Sequence, residues 1–75
     1  MGKCPPLKPD EIIKILKKLG FAEIRQKGSH KHFKHEDGRF TTVPYHKGRD
    51  VSPLLVRKIA SDIGISIEEF LSLRK

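Results

Sequence analysis

FAEIRQKGSHKHFKHEDGRFTTVP, residues 21–44, is interrupted by two glycine-bearing pairs, Gly28-Ser29 and Asp37-Gly38. The first has glycine at the leading central position that a type II′ hairpin turn requires, and the second is a pair favoured in type I′ turns. The stretch therefore reads as antiparallel strands at 21–27, 30–36 and 39–44, the last ended by Pro44. If each loop holds only its glycine pair, the register follows. His30 faces Lys27, His32 faces Arg25, Phe33 faces Ile24 and Lys34 faces Glu23. Across the second hairpin Glu36 faces Arg39, His35 faces Phe40 and Phe33 faces Thr42. Alternation then sends Ala22, Ile24, Phe33, Phe40 and Thr42 to a core face. Arg25, Lys27, His30, His32, Lys34 and Thr41 share the opposite face, which is basic and bears histidines. A slip of one residue would exchange the faces. Val43 is the misfit, an apolar residue that this scheme leaves on the basic side.

Helical patterns flank the strands. Pro9 suits a first helical position, and Asp10 and Glu11 suit the positive end of the helix dipole. Ile12, Ile15, Leu16 and Leu19 follow at i, i+3, i+4 and i+7, so the spacing predicts a helix over 9–19, closed by Gly20 with Phe21 entering the core. After a basic loop at 45–51, Ser52 and Pro53 open a second helix whose stripe is Leu55, Val56, Ile59, Ala60 and Ile63. Gly64 ends it. Ser66 and Glu69 form a capping-box pattern before a short third helix through Phe70 and Leu71. The expected fold class is α+β, in the order α-β-β-β-α-α, with a three-stranded antiparallel sheet and helices packed on one face. Residues 1–8 read as an N-terminal tail with Pro5 and Pro6 extended, and 9–75 as a single domain.

The chain has 75 residues, with 16 Lys+Arg against 9 Asp+Glu and a formal net charge of +7. Such a balance favours a polyanionic partner, whether nucleic acid, an acidic protein or an anionic surface; the alternative is a set of charges that only solvate the fold. No apolar run approaches the roughly 18 residues that span a bilayer, and no secretory pattern follows Lys3. Cys4 is the single cysteine, which excludes an intrachain disulfide and a thiolate zinc cluster. A cytoplasmic location is expected, with no membrane partner.

His30 is the foremost chemical candidate. A histidine at a turn beside Arg25, Lys27 and Lys34 can remove the proton of an RNA 2′-hydroxyl as it attacks the adjacent phosphorus, while the cations hold the phosphate and its added charge. The competing reading is a surface histidine on a polar sheet face. His32 shares that face, and H-x-H can chelate a metal, but alternation turns His35 away and only Glu23 is at hand to extend the set, so no metal site is expected. His46 lies in the basic loop, as a second acid–base group, a phosphate contact or a solvated residue. Gly48 between Lys47 and Arg49 lacks the spacing of a phosphate-binding loop. Tyr45 is left as the available stacking platform once Phe33 and Phe40 are assigned to the core, which favours recognition by charge and shape.

Arg25-Gln26-Lys27-Gly28-Ser29-His30, Asp37-Gly38-Arg39, Val43-Pro44-Tyr45-His46-Lys47-Gly48 and Gly64-Ile65-Ser66-Ile67-Glu68-Glu69-Phe70-Leu71 together resemble the HicA toxin family of toxin–antitoxin systems. The helix leading from Leu16 to Gly20-Phe21 fits as well, so the resemblance covers residues 5–71. It implies a fold similar to double-stranded RNA-binding domains, and an mRNA interferase that cleaves RNA without a metal or small-molecule cofactor. It also implies a HicB-type antitoxin that masks the active site. The family's catalytic histidine corresponds to His30, and the RNA-binding set is expected to be Arg25, Lys27, Gly28, Ser29, His32, Lys34, His46 and Lys47. One departure stands out: the family often has an apolar residue where His32 stands. Two other functional classes remain open at this point, a non-catalytic double-stranded RNA-binding module and a pure interaction protein with a basic face for an acidic partner.

Overall fold

The computed structural model describes residues 4–46 and 48–74. Its order is α1 (Pro9–Lys18), β1 (Ala22–Lys27), β2 (His30–Lys34), β3 (Phe40–Pro44), α2 (Pro53–Asp62) and α3 (Ile67–Ser72). The strands form one antiparallel sheet in the order β1-β2-β3. This is the α+β architecture that the turn and cap signals predict. Ser52 Oγ accepts a hydrogen bond from Leu55 N at 3.3 Å, and Ser66 Oγ accepts one from Glu69 N at 3.0 Å, so both serines start their helices as expected. Glu11 reaches back to accept from Lys8 N at 3.0 Å, which satisfies a backbone donor at the start of α1.

The core lies on one side of the sheet. Ile12, Ile15 and Leu16 of α1, Val56, Ile59 and Ala60 of α2, Ile63 and Phe70 meet Phe33, Thr41 and Val43 of the sheet. Within the segment read as a tail, Cys4 and Leu7 are buried, and Leu7 pairs with Val51 in an antiparallel bridge. Burial of Leu7 joins residues preceding α1 to the loop before α2.

Both hairpins differ from the expected register, for separate reasons. In the first, Lys27 pairs with His30 and Arg25 with His32, as the short Gly28-Ser29 loop dictates. Gly28 has φ of +59° while Ser29 does not have positive φ, the combination a type II′ turn uses. Beyond Arg25 a β-bulge at Ile24 intervenes, so Phe33 faces Glu23 and Lys34 faces Ala22. Ile24 is accordingly exposed rather than buried.

In the second hairpin the pairing slips by one residue: Phe33 faces Thr41, His32 faces Thr42 and Lys34 faces Phe40. A type I′ turn needs positive φ at both Asp37 and Gly38, and only Gly38 has it, at +100°. The loop instead closes around Glu36, Asp37 and Gly38, with Gly38 N donating to His35 O and His35 N to Arg39 O, both at 2.9 Å. The slip exchanges the faces of β3. Thr41 and Val43 are buried, while Phe40 is 46 % exposed and Thr42 faces the open side. Val43 thereby joins the core.

Asp37 holds this loop in shape. Its carboxylate accepts from Arg39 N at 3.0 Å and from Arg39 Nε at 2.8 Å. Those bonds, chiefly the backbone N–H, hold the Asp37 carboxyl below its ordinary 3.8. A carboxyl lowered in the folded state adds stability above its unfolded pKa, and that stability is lost as pH falls through the folded value. Asp37→Asn is therefore expected to unfold at lower urea than the parent near neutral pH. The gap should close once the pH is well below 3.8. Urea melts across that range check it; a gap that does not change with pH counts against the assignment.

Gly20 closes α1 with φ of +93°, and Phe21 N donates back to Leu16 O at 2.9 Å. A Cβ at Gly20 would lie 3.1 Å from His35 Nε2, whose ring also packs edge-on against Phe21. Gly20→Ala combines a strained backbone with this close approach, and is expected to cost roughly 1–3 kcal/mol of stability. A denaturation midpoint equal to the parent's would contradict that.

Candidate functional site

The Gly28-Ser29 turn delivers His30 to the start of β2, where it pairs with Lys27 on one side and Pro44 on the other. Tyr45 N donates to Ser29 O, and Gln26 Nε2 donates to Gly28 O at 3.0 Å, so the turn is braced from both sides. His30 itself is exposed, and its ring makes no hydrogen bond among the described residues. Arg25, Lys27 and Lys34 are exposed and share its face: the turn sets Lys27 opposite His30 and Arg25 opposite His32, and Lys34 follows His30 and His32 by alternation along β2. The basic face thus holds for these residues. Thr41 leaves it for the core, and Phe40 and Thr42 take its place.

His32 is half-buried on the same face. Its Nδ1 lies 3.0 Å from Thr42 Oγ1, and its ring stacks on Phe40 with centroids 5.7 Å apart and planes 23° apart. The slip that brings Phe40 outward therefore gives His32 a partly apolar setting. Glu23 faces the other way and pairs with Lys31 at 3.5 Å, which separates it from the H-x-H pair. Among the described residues no three His, Cys, Asp or Glu side chains converge on a common point.

His46 is exposed and lies beyond Pro44. It lines one cleft with Lys8, Asp10, Tyr45 and Arg49, and another with Pro44, Asp50 and Leu55, neither of which includes His30. Lys47 lies outside the described residues. Tyr45 is turned toward α1 rather than offered to a base. Its hydroxyl donates to Asp10 Oδ1 at 3.0 Å, and Lys31 Nζ sits 4.8 Å above its ring. The bond to the Asp10 carboxylate raises the Tyr45 pKa above its ordinary value.

A groove of about 460 Å³ opens beside His30, between β3 and α2. Phe40, Thr42, Pro44, Leu55, Lys58 and Asp62 help line it. The sequence reading placed Phe40 and Leu55 in the core and gave Lys58 and Asp62 no role. Val43 was the available signal, since moving it into the core requires Phe40 to come out.

The family model described as HicA toxin of bacterial toxin-antitoxin matches residues 9–65. The chain belongs to the HicA toxin family. Among curated proteins no match is found. The match begins at the first residue of α1, ends just past α2, and includes the Gly-Ser-His turn, the basic face and the groove. No described helix is long and apolar enough to cross a membrane.

Proposed function

We propose that this HicA-family toxin is an endoribonuclease of mRNA, acting in the cytoplasm and held in check by a HicB-type antitoxin. The observation that carries the reading is the exposed His30 on a face shared with Arg25, Lys27 and Lys34. RNA supplies its own nucleophile in the 2′-hydroxyl. The protein's task is then to accept that hydroxyl's proton and to stabilise charge at phosphorus. His30 is the proton acceptor. Arg25, Lys27 and Lys34 hold phosphates, and Gly28 and Ser29 let the backbone of the substrate approach without a bulky side chain. His32 and His46 add further RNA contacts, and Lys47, which lies outside the described residues, joins that set by the family resemblance. As the 2′-oxygen bonds to phosphorus the bond to the 5′-oxygen breaks, and that leaving oxygen takes its proton from water; no step is assigned to a metal.

The test is cleavage of messenger RNA by the purified chain in excess chelator, together with growth on expression. Fragments in chelator and growth arrest relieved by a HicB-type antitoxin are expected. Binding should weaken steeply with salt, since phosphate contacts release counterions. Salt-dependent binding with intact RNA would favour the non-catalytic double-stranded RNA-binding module instead.

A further inference from the structure

The groove between β3 and α2 has two ends of different chemistry. Leu55 lies by Pro44, the residue paired with His30, and Asp62 lies by Thr41, so α2 runs antiparallel to β3 along its open edge. Between them the walls are apolar: Phe40 is 46 % exposed, Leu55 is 39 % exposed, and Ile59 forms part of the floor. At the far end Asp62 Oδ2 accepts from Thr41 Oγ1 at 3.2 Å and from Lys58 Nζ at 3.3 Å. Oδ1 has no protein donor among the described residues. A concave apolar slot with a few fixed polar groups is the ordinary form of a small-ligand site, and its volume is in the usual range.

We propose that this groove receives one unstacked nucleobase of the RNA, and that Asp62 selects a base bearing an exocyclic amino group. The proposal rests on the reading of RNA as substrate. The basic row of Arg25, Lys27 and Lys34 shares a face with His30, and His30 lines the groove together with Phe40 and Leu55, so a nucleotide whose phosphate is held at His30 has its base beside them. Single-stranded RNA is read in this way, by splayed bases packed on aromatic groups and hydrogen-bonded at their edges. A carboxylate oxygen accepts and never donates, so it matches the amino groups of adenine, guanine and cytosine. Uracil has none. Lys58 offsets the negative charge of Asp62 against the phosphates nearby. A greasy side chain of a protein partner would use the apolar walls but leave Asp62 Oδ1 unanswered.

The test is a nuclear magnetic resonance titration of the full chain with the four nucleoside 3′-monophosphates. Phe40, Thr42 and Leu55 signals are expected to move with the adenosine, guanosine and cytidine compounds, and uridine 3′-monophosphate to bind about tenfold more weakly, as loss of a charge-assisted hydrogen bond implies. Asp62→Asn should erase that difference, and Leu55→Trp, at a partly exposed position, should block all four. Equal affinities, or groove signals that never move, overturn the proposal. So does a Leu55→Trp chain that binds nucleotides normally and loses only its antitoxin. If the groove discriminates as expected while wild type leaves RNA intact in chelator, the proposed cleavage fails and the nucleotide site stands. If RNA is cut and the groove stays silent, the site fails and the cleavage stands.

Discussion

His30→Ala is expected to lower RNA cleavage by roughly 10²–10⁴-fold, the usual contribution of a positioned acid–base group, and to abolish growth arrest. Stability should be within about 0.5 kcal/mol of the parent, as for other surface substitutions. The two halves of that statement have separate physical grounds. His30 is exposed and its ring makes no hydrogen bond or ion pair among the described residues, so the fold loses none when the ring goes. The basic row remains, so RNA binding and its salt dependence should survive. His32→Ala is the informative control. It removes a ring bonded to Thr42 and stacked on Phe40 together with one RNA contact, and is expected to weaken RNA binding and lower cleavage by a few-fold, far less than the loss at His30. Measured rates in chelator, with circular dichroism and melting of each variant, separate the cases. A His30→Ala chain that is folded and cuts RNA within a few-fold of wild type would remove His30 from the mechanism.

The parts of this fold that were legible in the sequence are those fixed by local chemistry. Ser52 and Ser66 declare their helices because a hydroxyl at that position has one good use, to accept a free backbone N–H. The Gly28-Ser29 turn fixed His30 against Lys27 and His32 against Arg25, and with them the basic face. What was not legible depends on single inserted residues. The bulge at Ile24 obeys no local signal, and from there to the start of β1 the pairing differs by one. At the second turn Asp37 competes with the type I′ geometry. Its carboxylate bonds Arg39 N two residues on, while its own N–H donates to His35 Nδ1 at 3.1 Å, and both bonds hold Asp37 at negative φ. One further residue in the loop then reverses β3. Arg39 adds a tertiary hold that no local pattern shows: its Nη1 donates to Ile63 O at 2.6 Å, tying the hairpin to the end of α2. The groove beside His30 exists because of that reversal, so the candidate catalytic residue could be read from the chain and its surroundings could not.

The reversal makes a sharp prediction about two phenylalanines that the sequence treats alike. Phe33 is fully buried, between the sheet and the helices that cover it, whereas Phe40 is 46 % exposed and touches His32 on the open face. Phe33→Ala leaves a cavity in a small core and is expected to cost about 3–5 kcal/mol. For a domain of 75 residues that is a large fraction of the roughly 5–15 kcal/mol typical of folded proteins, so the variant should be mostly unfolded under mild warming, and inactive for that reason. Phe40→Ala removes a half-exposed ring and a stacking contact worth about 0.5–1.5 kcal/mol, and the protein should fold normally. Its defect should appear instead in nucleotide binding at the groove. Urea unfolding of the two variants measures the difference directly. If both residues were core residues, as strict alternation through a two-residue second turn requires, the two losses would be similar. A difference of 2 kcal/mol or so, well above the scatter of surface substitutions, would establish the slipped register in solution, and equal losses would return Phe40 to the core and close the groove.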